Sequence, residues 1–174
     1  PARPGTALVV HALDGMTTLA REWRTVARAH CDWQRFAADR EMYGRVLDWH
    51  TLEGPFVVKR DGRYFCFYSG GCWRNATYGV DYVVADRVQG PYSGAGGGAA
   101  PRVLATVADR VLGPGHCSIA ATPGGSHVIV YHAWDVNATA RRMCIDALAW
   151  STMGPRSPGP TWTPQPAPNG HASS

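Results

Sequence analysis

The chain has 174 residues, of which 45% are hydrophobic and 17% are charged. This balance is that of one globular domain, and it excludes both a disordered chain and a chain of membrane-spanning helices. The formal charge of +4 comes almost wholly from arginine. Because the arginines are scattered, they do not form the basic face that binds nucleic acid, so we expect neither a nucleic acid nor a membrane as partner.

The cysteines bear on the redox compartment. Their number is odd and no Cys-x-x-Cys pair occurs, which favours buried thiols over a disulfide framework. A single Cys66–Cys72 disulfide in a secreted protein is the alternative. Thiols weakly favour a cytoplasmic location over secretion, and the sequence does not fix the location. The five positions are Cys31, Cys66, Cys72, Cys117 and Cys144.

Short runs of β-favouring residues, bounded by glycine and proline, recur along the chain and predict an all-β fold. In chain order, the predicted strands are residues 7–11, 56–60, 64–69, 78–85, 102–106, 118–121, 127–133 and 143–147. The stretch 17–48 is rich in charged residues and is predicted to be irregular or partly helical. Residues 1–165 are predicted to form one domain, and residues 166–174 a proline-rich, disordered tail.

An internal repeat organises these strands. A shift of 63 residues aligns segment 56–68 with segment 119–131, so that both are predicted to form the same hairpin, and it aligns Glu53 with His116. Repeats of short antiparallel strands, with a period of roughly 40–50 residues or more, are typical of β-propellers, in which equivalent positions ring a central axis. We therefore predict that Glu53 and His116 face that axis, each at the start of a blade's inner strand.

Glu53 has a chemical consequence of its own. It stands at the entrance of a predicted buried strand, where a carboxyl group is costly to bury unless it is protonated or paired. A carboxylic acid that stays protonated is what acid catalysis requires. The alternative is that Glu53 and His116 are polar turn residues without a catalytic role.

The repeat can be followed upstream. Segment 5–11 matches segment 62–68 with a shift of 57 residues, which puts the axial position of that unit before Pro1. We therefore expect the chain to begin partway through a blade, as a partial propeller of about three blades.

An ordered series of motifs resembles glycoside hydrolase family 43, over residues 5 to 165. Segments 52–56, 61–71, 78–80 and 90–92 resemble its third blade, and segments 113–118 and 131–134 its fourth. Segment 141–146, with Trp150 and Gly154-Pro155, resembles its fifth. The resemblance implies a five-bladed β-propeller and an inverting glycosidase, acting mainly on arabinofuranosides and xylosides of plant polysaccharides.

The resemblance also implies roles for residues. The family has an Asp general base, an Asp that tunes the acid, and a Glu general acid, and Glu53 matches the last of these. The two Asp residues have no match in this chain. His116 matches an axial histidine that in some members holds waters around a calcium or structural ion, so a metal near His116 is implied, and no other cofactor is required. Cys117 replaces the usual Asn.

Substrate contacts are predicted at four further positions. The aromatic rings of Trp33, Trp49 and Trp73 could stack on sugars, and Arg141 could hold a sugar hydroxyl or pair with Glu53. The alternative is that the rings pack between blades and that Arg141 is a surface residue. His116 is the fifth predicted substrate contact.

These expectations leave three interpretations open. The chain is part of an inverting glycosidase whose partners are an arabinose- or xylose-containing saccharide and missing N-terminal blades of the same protein. Otherwise it is a non-catalytic, carbohydrate-binding propeller without the general base, or a truncated fragment with no role. Since the two Asp residues are absent, we expect the isolated chain to be inactive or nearly so.

Overall fold

A computed structural model describes residues 2–94 and 98–165. These residues form eleven β-strands and one short 3₁₀ helix, Asp32–Gln34. The predicted tail, 166–174, lies outside the described residues. The strands are β1 (Ala7–Asp14), β2 (Thr18–Arg28), β3 (Arg35–Met42), β4 (Arg45–His50), β5 (Leu52–Arg60), β6 (Arg63–Gly70), β7 (Gly79–Ala85), β8 (Leu112–Ala121), β9 (His127–Trp134), β10 (Arg141–Ser151) and β11 (Gly154–Arg156).

The strands form four antiparallel sheets, which confirms the all-β expectation. β1 pairs with β2 and β3 with β4, while β5, β6 and β7 form a three-stranded sheet and β8 to β11 a four-stranded sheet. Neighbours in the chain are neighbours in each sheet, as in the blades of a propeller. No helix in the described part of the chain has the length and hydrophobicity needed to cross a membrane.

The hairpin of β5 and β6 follows the predicted turn. Asp61 and Gly62 both have positive φ angles, of 48° and 77°, and Arg60 pairs directly with Arg63. Two central residues with positive φ are typical of the tight turns that match the twist of paired strands. The turn thus fixes which residues of the two strands face each other.

The central sheet, β5 to β7, is buried on both faces. Phe65 and Phe67 face a cluster shared with β8, β9 and β10, while Cys66 and Tyr68, which alternate with them, face a second cluster shared with β1 and β2. Every residue of β7 is buried. This is the arrangement of a blade stacked between two neighbours, in which each face depends on the next sheet for its burial.

Three expectations about the elements are wrong. Most of segment 17–48 forms strands β2, β3 and β4, because two-stranded hairpins with one solvent face carry many charged residues. Segment 102–106 forms no strand, and Leu104 makes an isolated bridge to Val80. Finally, β10 and β11 pair with β9 in the same sheet as β8, so segment 141–155 completes the blade that begins at β8 and does not belong to a fifth blade.

The cysteine prediction is confirmed. All five cysteines lie within the described residues, none forms a disulfide, and four are buried while Cys144 is half-buried. Burial raises the pKa of the Cys66 and Cys117 thiols to about 12. These thiols fill the clusters on opposite faces of the central sheet.

Candidate active site

Glu53 is the second residue of β5, where the chain enters the central sheet, and it is half-buried. It pairs with Ser69 on β6, and a β-bulge follows between Glu53 and Phe56. Gly54, within that bulge, has a φ angle of 58°, in the left-handed region that favours glycine. Bulges re-aim side chains beside active sites, and this one separates the orientation of Glu53 from the regular alternation that begins at Phe56.

Tyr78 holds the Glu53 carboxyl group. Its hydroxyl donates a hydrogen bond of 2.5 Å to Glu53 Oε1, and its side chain is 1% exposed. Burial, and next the hydrogen bond to Glu53, raise the pKa of the Tyr78 phenol above its ordinary value. The phenol is therefore protonated at neutral pH and acts as a hydrogen-bond donor toward Glu53.

Arg141, the first residue of β10, lies against two aromatic rings. Its guanidinium carbon is 5.5 Å from the centre of the Trp73 ring and 5.8 Å from that of Tyr78, within the range of cation–π attraction. Its Nε and Nη2 atoms are buried and have no hydrogen-bond partner among the described residues. Because buried donors without acceptors are costly, these nitrogens are ready to bind an oxygen of a ligand.

Trp73 is fixed beside this arginine by a second tryptophan. The rings of Trp73 and Trp134 are stacked, with centroids 6.1 Å apart and planes at 13°. Trp134 Nε1 also donates a hydrogen bond of 2.8 Å to the backbone oxygen of Trp73. Both indoles are half-buried, so the pair presents a rigid aromatic surface next to Arg141.

His116 reaches the same end of the sheets from β8. Its backbone N–H donates a hydrogen bond of 2.7 Å to Ser69 Oγ, which joins β8 to the strand that pairs with Glu53. Its imidazole is stacked at 6.4 Å from that of His132. The pKa of His132 is below its ordinary value because of partial desolvation and the positive charge of Arg141 and His116.

The alignment of Glu53 with His116 is wrong by one position. Glu53 pairs with Ser69, and Gly115 pairs with His132, which is 63 residues further along. Gly115 is thus the structural counterpart of Glu53. His116 is the counterpart of Gly54, and the two residues share left-handed φ angles of 56° and 58°. The side chain of His116 instead lies against Gly54, where an added Cβ would be 3.1 Å from its ring.

The residues around His116 do not fit a direct calcium site. Within the described ranges, no group of three or more His, Cys, Asp or Glu side chains is placed to hold a metal ion. The ring nearest to His116 is the imidazole of His132, whereas calcium prefers six to eight oxygen ligands. We derive no catalytic step through an ion at this position.

Two predicted substrate contacts lie elsewhere. Trp33 is 7% exposed and belongs to the cluster with Leu52 and Tyr68, where its ring packs against Gly70. Its ring is therefore part of the core. Trp49 is half-buried on the β3–β4 hairpin, and its ring contacts are Tyr43 and Arg40. The structure thus brings together Glu53, Trp73, Arg141 and His116, and not Trp33 or Trp49.

Sequence reasoning missed Tyr78, Ser69, His132 and Trp134 as members of the site. A signal for Tyr78 was present, since it is a polar aromatic residue that enters a buried strand, as Glu53 is a polar residue that enters another. No local signal marks Ser69 or His132, which join the site through pairing across strands. Trp134 follows from the stacking on Trp73, which depends on how two sheets are placed.

Comparison with known proteins agrees with this geometry. A β-D-galactofuranosidase of Aspergillus niger is 37% identical over 107 residues, which are 59% of this chain and 30% of that protein. The crystal structure of a thermostable family-43 glycoside hydrolase is similar with a TM-score of 0.70 and 29% identity, over 87% of this chain and 46% of that one. An α-L-arabinofuranosidase from Lactobacillus brevis, 19% identical, shares the fold with a TM-score of 0.66, over 91% of this chain and 49% of that one.

The shares of each chain show how much of the fold is present. This chain spans slightly less than half of the two solved structures and 30% of the curated relative. Their propeller architecture agrees with the stacked sheets described above. The sequence profile of glycosyl hydrolases family 43 matches residues 13–154, which is most of the chain, and the protein is therefore a member of that family.

Proposed function

We propose that the protein to which this chain belongs is an inverting glycoside hydrolase and that Glu53 is its general acid. The observation that carries the proposal is the position of Glu53, half-buried at the start of β5 and hydrogen-bonded to Tyr78. Arg141, with unused donors, and the Trp73 ring lie next to it. A proton donor beside a cation and an aromatic surface suits the protonation and binding of a sugar.

The proposed reaction needs a second carboxylate. In an inverting hydrolase, the acid gives its proton to the departing glycosidic oxygen while the C1–O bond breaks. A water molecule attacks C1 from the opposite face and loses a proton to a general base, with about 6.5–9.5 Å between the two carboxyl groups. We propose that this base, and the Asp that tunes the acid, come from propeller blades outside this chain.

The proposed substrates are arabinofuranosyl or xylosyl units of plant-type polysaccharides or oligosaccharides. Trp73 would supply an aromatic surface for the apolar face of the sugar ring. The two unpartnered nitrogens of Arg141 would donate to sugar hydroxyls. The name of the Aspergillus niger relative adds galactofuranosides as a third class of substrate to be assayed.

Hydrolysis of nitrophenyl arabinofuranoside, xyloside and galactofuranoside tests the proposal. The isolated chain should release no nitrophenol above background, whereas a longer protein that adds the remaining blades should hydrolyse at least one substrate. In that longer protein, Glu53→Gln should reduce hydrolysis by about 10²- to 10⁴-fold, since a general acid contributes about that much. The matched control is Glu22→Gln, on the exposed strand β2.

Two outcomes would contradict the proposal. Measurable hydrolysis by the 174-residue chain alone would exclude the need for a base from other blades. Undiminished hydrolysis by the Glu53→Gln variant of the longer protein, on substrates with poor leaving groups, would exclude Glu53 as the acid.

A non-catalytic saccharide-binding propeller is the second candidate. It is favoured by one observation, namely that the binding elements Trp73 and Arg141 lie within this chain while the hydrogen bonds of the described residues join Glu53 to a phenol and not to a second carboxyl group. Saccharide binding by the longer protein, without hydrolysis of any of the three substrates, would support this candidate.

A further inference from the structure

Tyr78 is the residue of the site to which no role has yet been given. Resting on the proposed function of Glu53, we propose that Tyr78 is a positioning residue that occupies Glu53 Oε1 and thereby makes Oε2 the oxygen that carries the transferable proton. The pair would then define from which side the glycosidic oxygen must approach.

The position of Tyr78 is rigid. Its side chain is 1% exposed, and its ring lies so close to Gly115 that a Cβ atom at that position would overlap the ring. On another side, the guanidinium group of Arg141 lies 5.8 Å from the ring centre. A phenol held in this way keeps its hydroxyl in one place, so the 2.5 Å hydrogen bond restricts rotation of the Glu53 carboxyl group.

The hydrogen bond also has a direction. A protonated phenol donates to Oε1 and leaves that oxygen as an acceptor. No second donor to Glu53 is found among the described side chains and backbone groups, which leaves Oε2 without a protein partner. When the proton moves from Oε2 to the glycosidic oxygen and the C1–O bond breaks, Glu53 becomes a carboxylate, and the Tyr78 hydroxyl stabilises that charge.

A second phenol–carboxyl pair in the chain shows what a structural pair looks like. Tyr131 donates a hydrogen bond of 2.6 Å to Asp146 Oδ2, and both residues are 1% exposed. Asp146 also accepts hydrogen bonds from the Thr161 backbone and hydroxyl, so both of its oxygens are used. Glu53 differs because it is half-buried and one of its oxygens remains available, and the Tyr131 pair provides a matched control.

The pairing can be tested on the 174-residue chain, because it has only three glutamates, Glu22, Glu41 and Glu53. Carbon-13 labelling of the glutamate carboxyl groups should give three signals, and Glu53→Gln identifies the one from Glu53. At pH 8, Tyr78→Phe should move the Glu53 signal by more than its line width and leave the other two in place. Tyr131→Phe should move none of the three.

A second variant guards against misfolding. 3-Fluorotyrosine at position 78 has nearly the shape of tyrosine and a more acidic phenol, so it donates more strongly and should move the Glu53 signal in the direction opposite to Tyr78→Phe. If the Glu53 signal is unchanged in both variants, the pairing is overturned, whatever the hydrolysis assays show.

The choice of oxygen is tested by leaving groups, in the longer protein that adds the remaining blades. Tyr78→Phe should lower kcat about tenfold on alkyl glycosides, the effect of one hydrogen bond to a charged group, with little change in KM. It should leave dinitrophenyl glycosides nearly unaffected, since their leaving group needs no proton. An equal loss of kcat on both substrates would overturn the positioning role and leave the proposed function of Glu53 standing.

Discussion

At the scale of single residues, the close contact of Gly115 with Tyr78 leads to the first prediction. A Cβ atom at Gly115 would overlap the Tyr78 ring, so Gly115→Ala should displace the ring, break its hydrogen bond to Glu53 and destabilise the chain by about 1–3 kcal/mol, the usual cost of overpacking. The urea midpoint of unfolding measures this. Gly98→Ala is the control, because its nearest neighbour would be 3.5 Å away, and equal midpoints for the two variants would contradict the prediction.

Arg141 gives a prediction of opposite sign. Its buried, unpartnered nitrogens cost stability, while its two ring contacts return part of that cost. Arg141→Met should therefore leave the free energy of unfolding unchanged or raise it by about 1 kcal/mol, and should abolish saccharide-induced shifts of the Trp73 indole signal in NMR spectra.

The control for that variant is Arg142→Met, on the exposed side of β10. It should change the free energy of unfolding by less than about 0.5 kcal/mol and keep the shifts of the Trp73 signal. A loss of more than 1 kcal/mol in Arg141→Met would mean that its nitrogens have partners in solution.

Residue-level prediction from the sequence succeeded where the signal was local. Glu53 was identified because a carboxyl group at the entrance of a buried strand needs an explanation, and the structure places it there. Trp33 and Trp73 carry no local difference that tells a core ring from a site ring. Trp33 is buried by its contact with Gly70, and such contacts arise only once separate strands are assembled.

At the scale of elements, the β-bulges explain why the repeat was displaced by one residue. Both inner strands carry a bulge, with the left-handed residue at Gly54 in one and at His116 in the other. A bulge adds a residue to one strand without changing its partner. A comparison of the sequence with itself therefore finds the hairpins correctly and assigns the residues before the bulge incorrectly.

The β1–β2 hairpin has an exposed apolar face, which leads to a prediction about association. Leu19 and Trp23 are 62% and 51% exposed, and they face away from the cluster that buries Leu8 and Ala27. The double substitution Leu19→Lys and Trp23→Lys should shift the isolated chain from oligomer to monomer, because lysine on an exposed face opposes edge and face association. Light scattering after size-exclusion chromatography at several concentrations measures the mass.

Met153→Lys is the control for this double variant. Met153 is 73% exposed and lies between β10 and β11, away from the β1–β2 face. If it lowers the oligomer fraction as much as the double variant does, general solubility and not the β1–β2 face controls the association.

At the scale of the whole molecule, the sheets depend on their neighbours. The sheet of β5 to β7 is buried on both faces, whereas the β1–β2 sheet packs on one face only. The sequence predicted this stacked, all-β architecture from the repeat and the turns. It could not predict that β10 and β11 complete the sheet of β8 and β9, since strand pairing across a long connection leaves no mark in local composition.

This difference in support predicts an order of opening, which the thiols can report. Cys31 lies in the cluster next to β1–β2, Cys117 lies between the two larger sheets, and Cys144 is half-buried. With a pKa of about 12, roughly one Cys117 thiol in ten thousand is ionised at pH 8, so it reacts with Ellman's reagent only after opening. Cys144 should react first, Cys31 next and Cys117 last, because a sheet supported on one face opens at lower free energy. Single Cys→Ser variants identify each phase, and reaction of Cys117 before Cys31 would show that the two larger sheets separate from each other more readily than the β1–β2 sheet detaches from them.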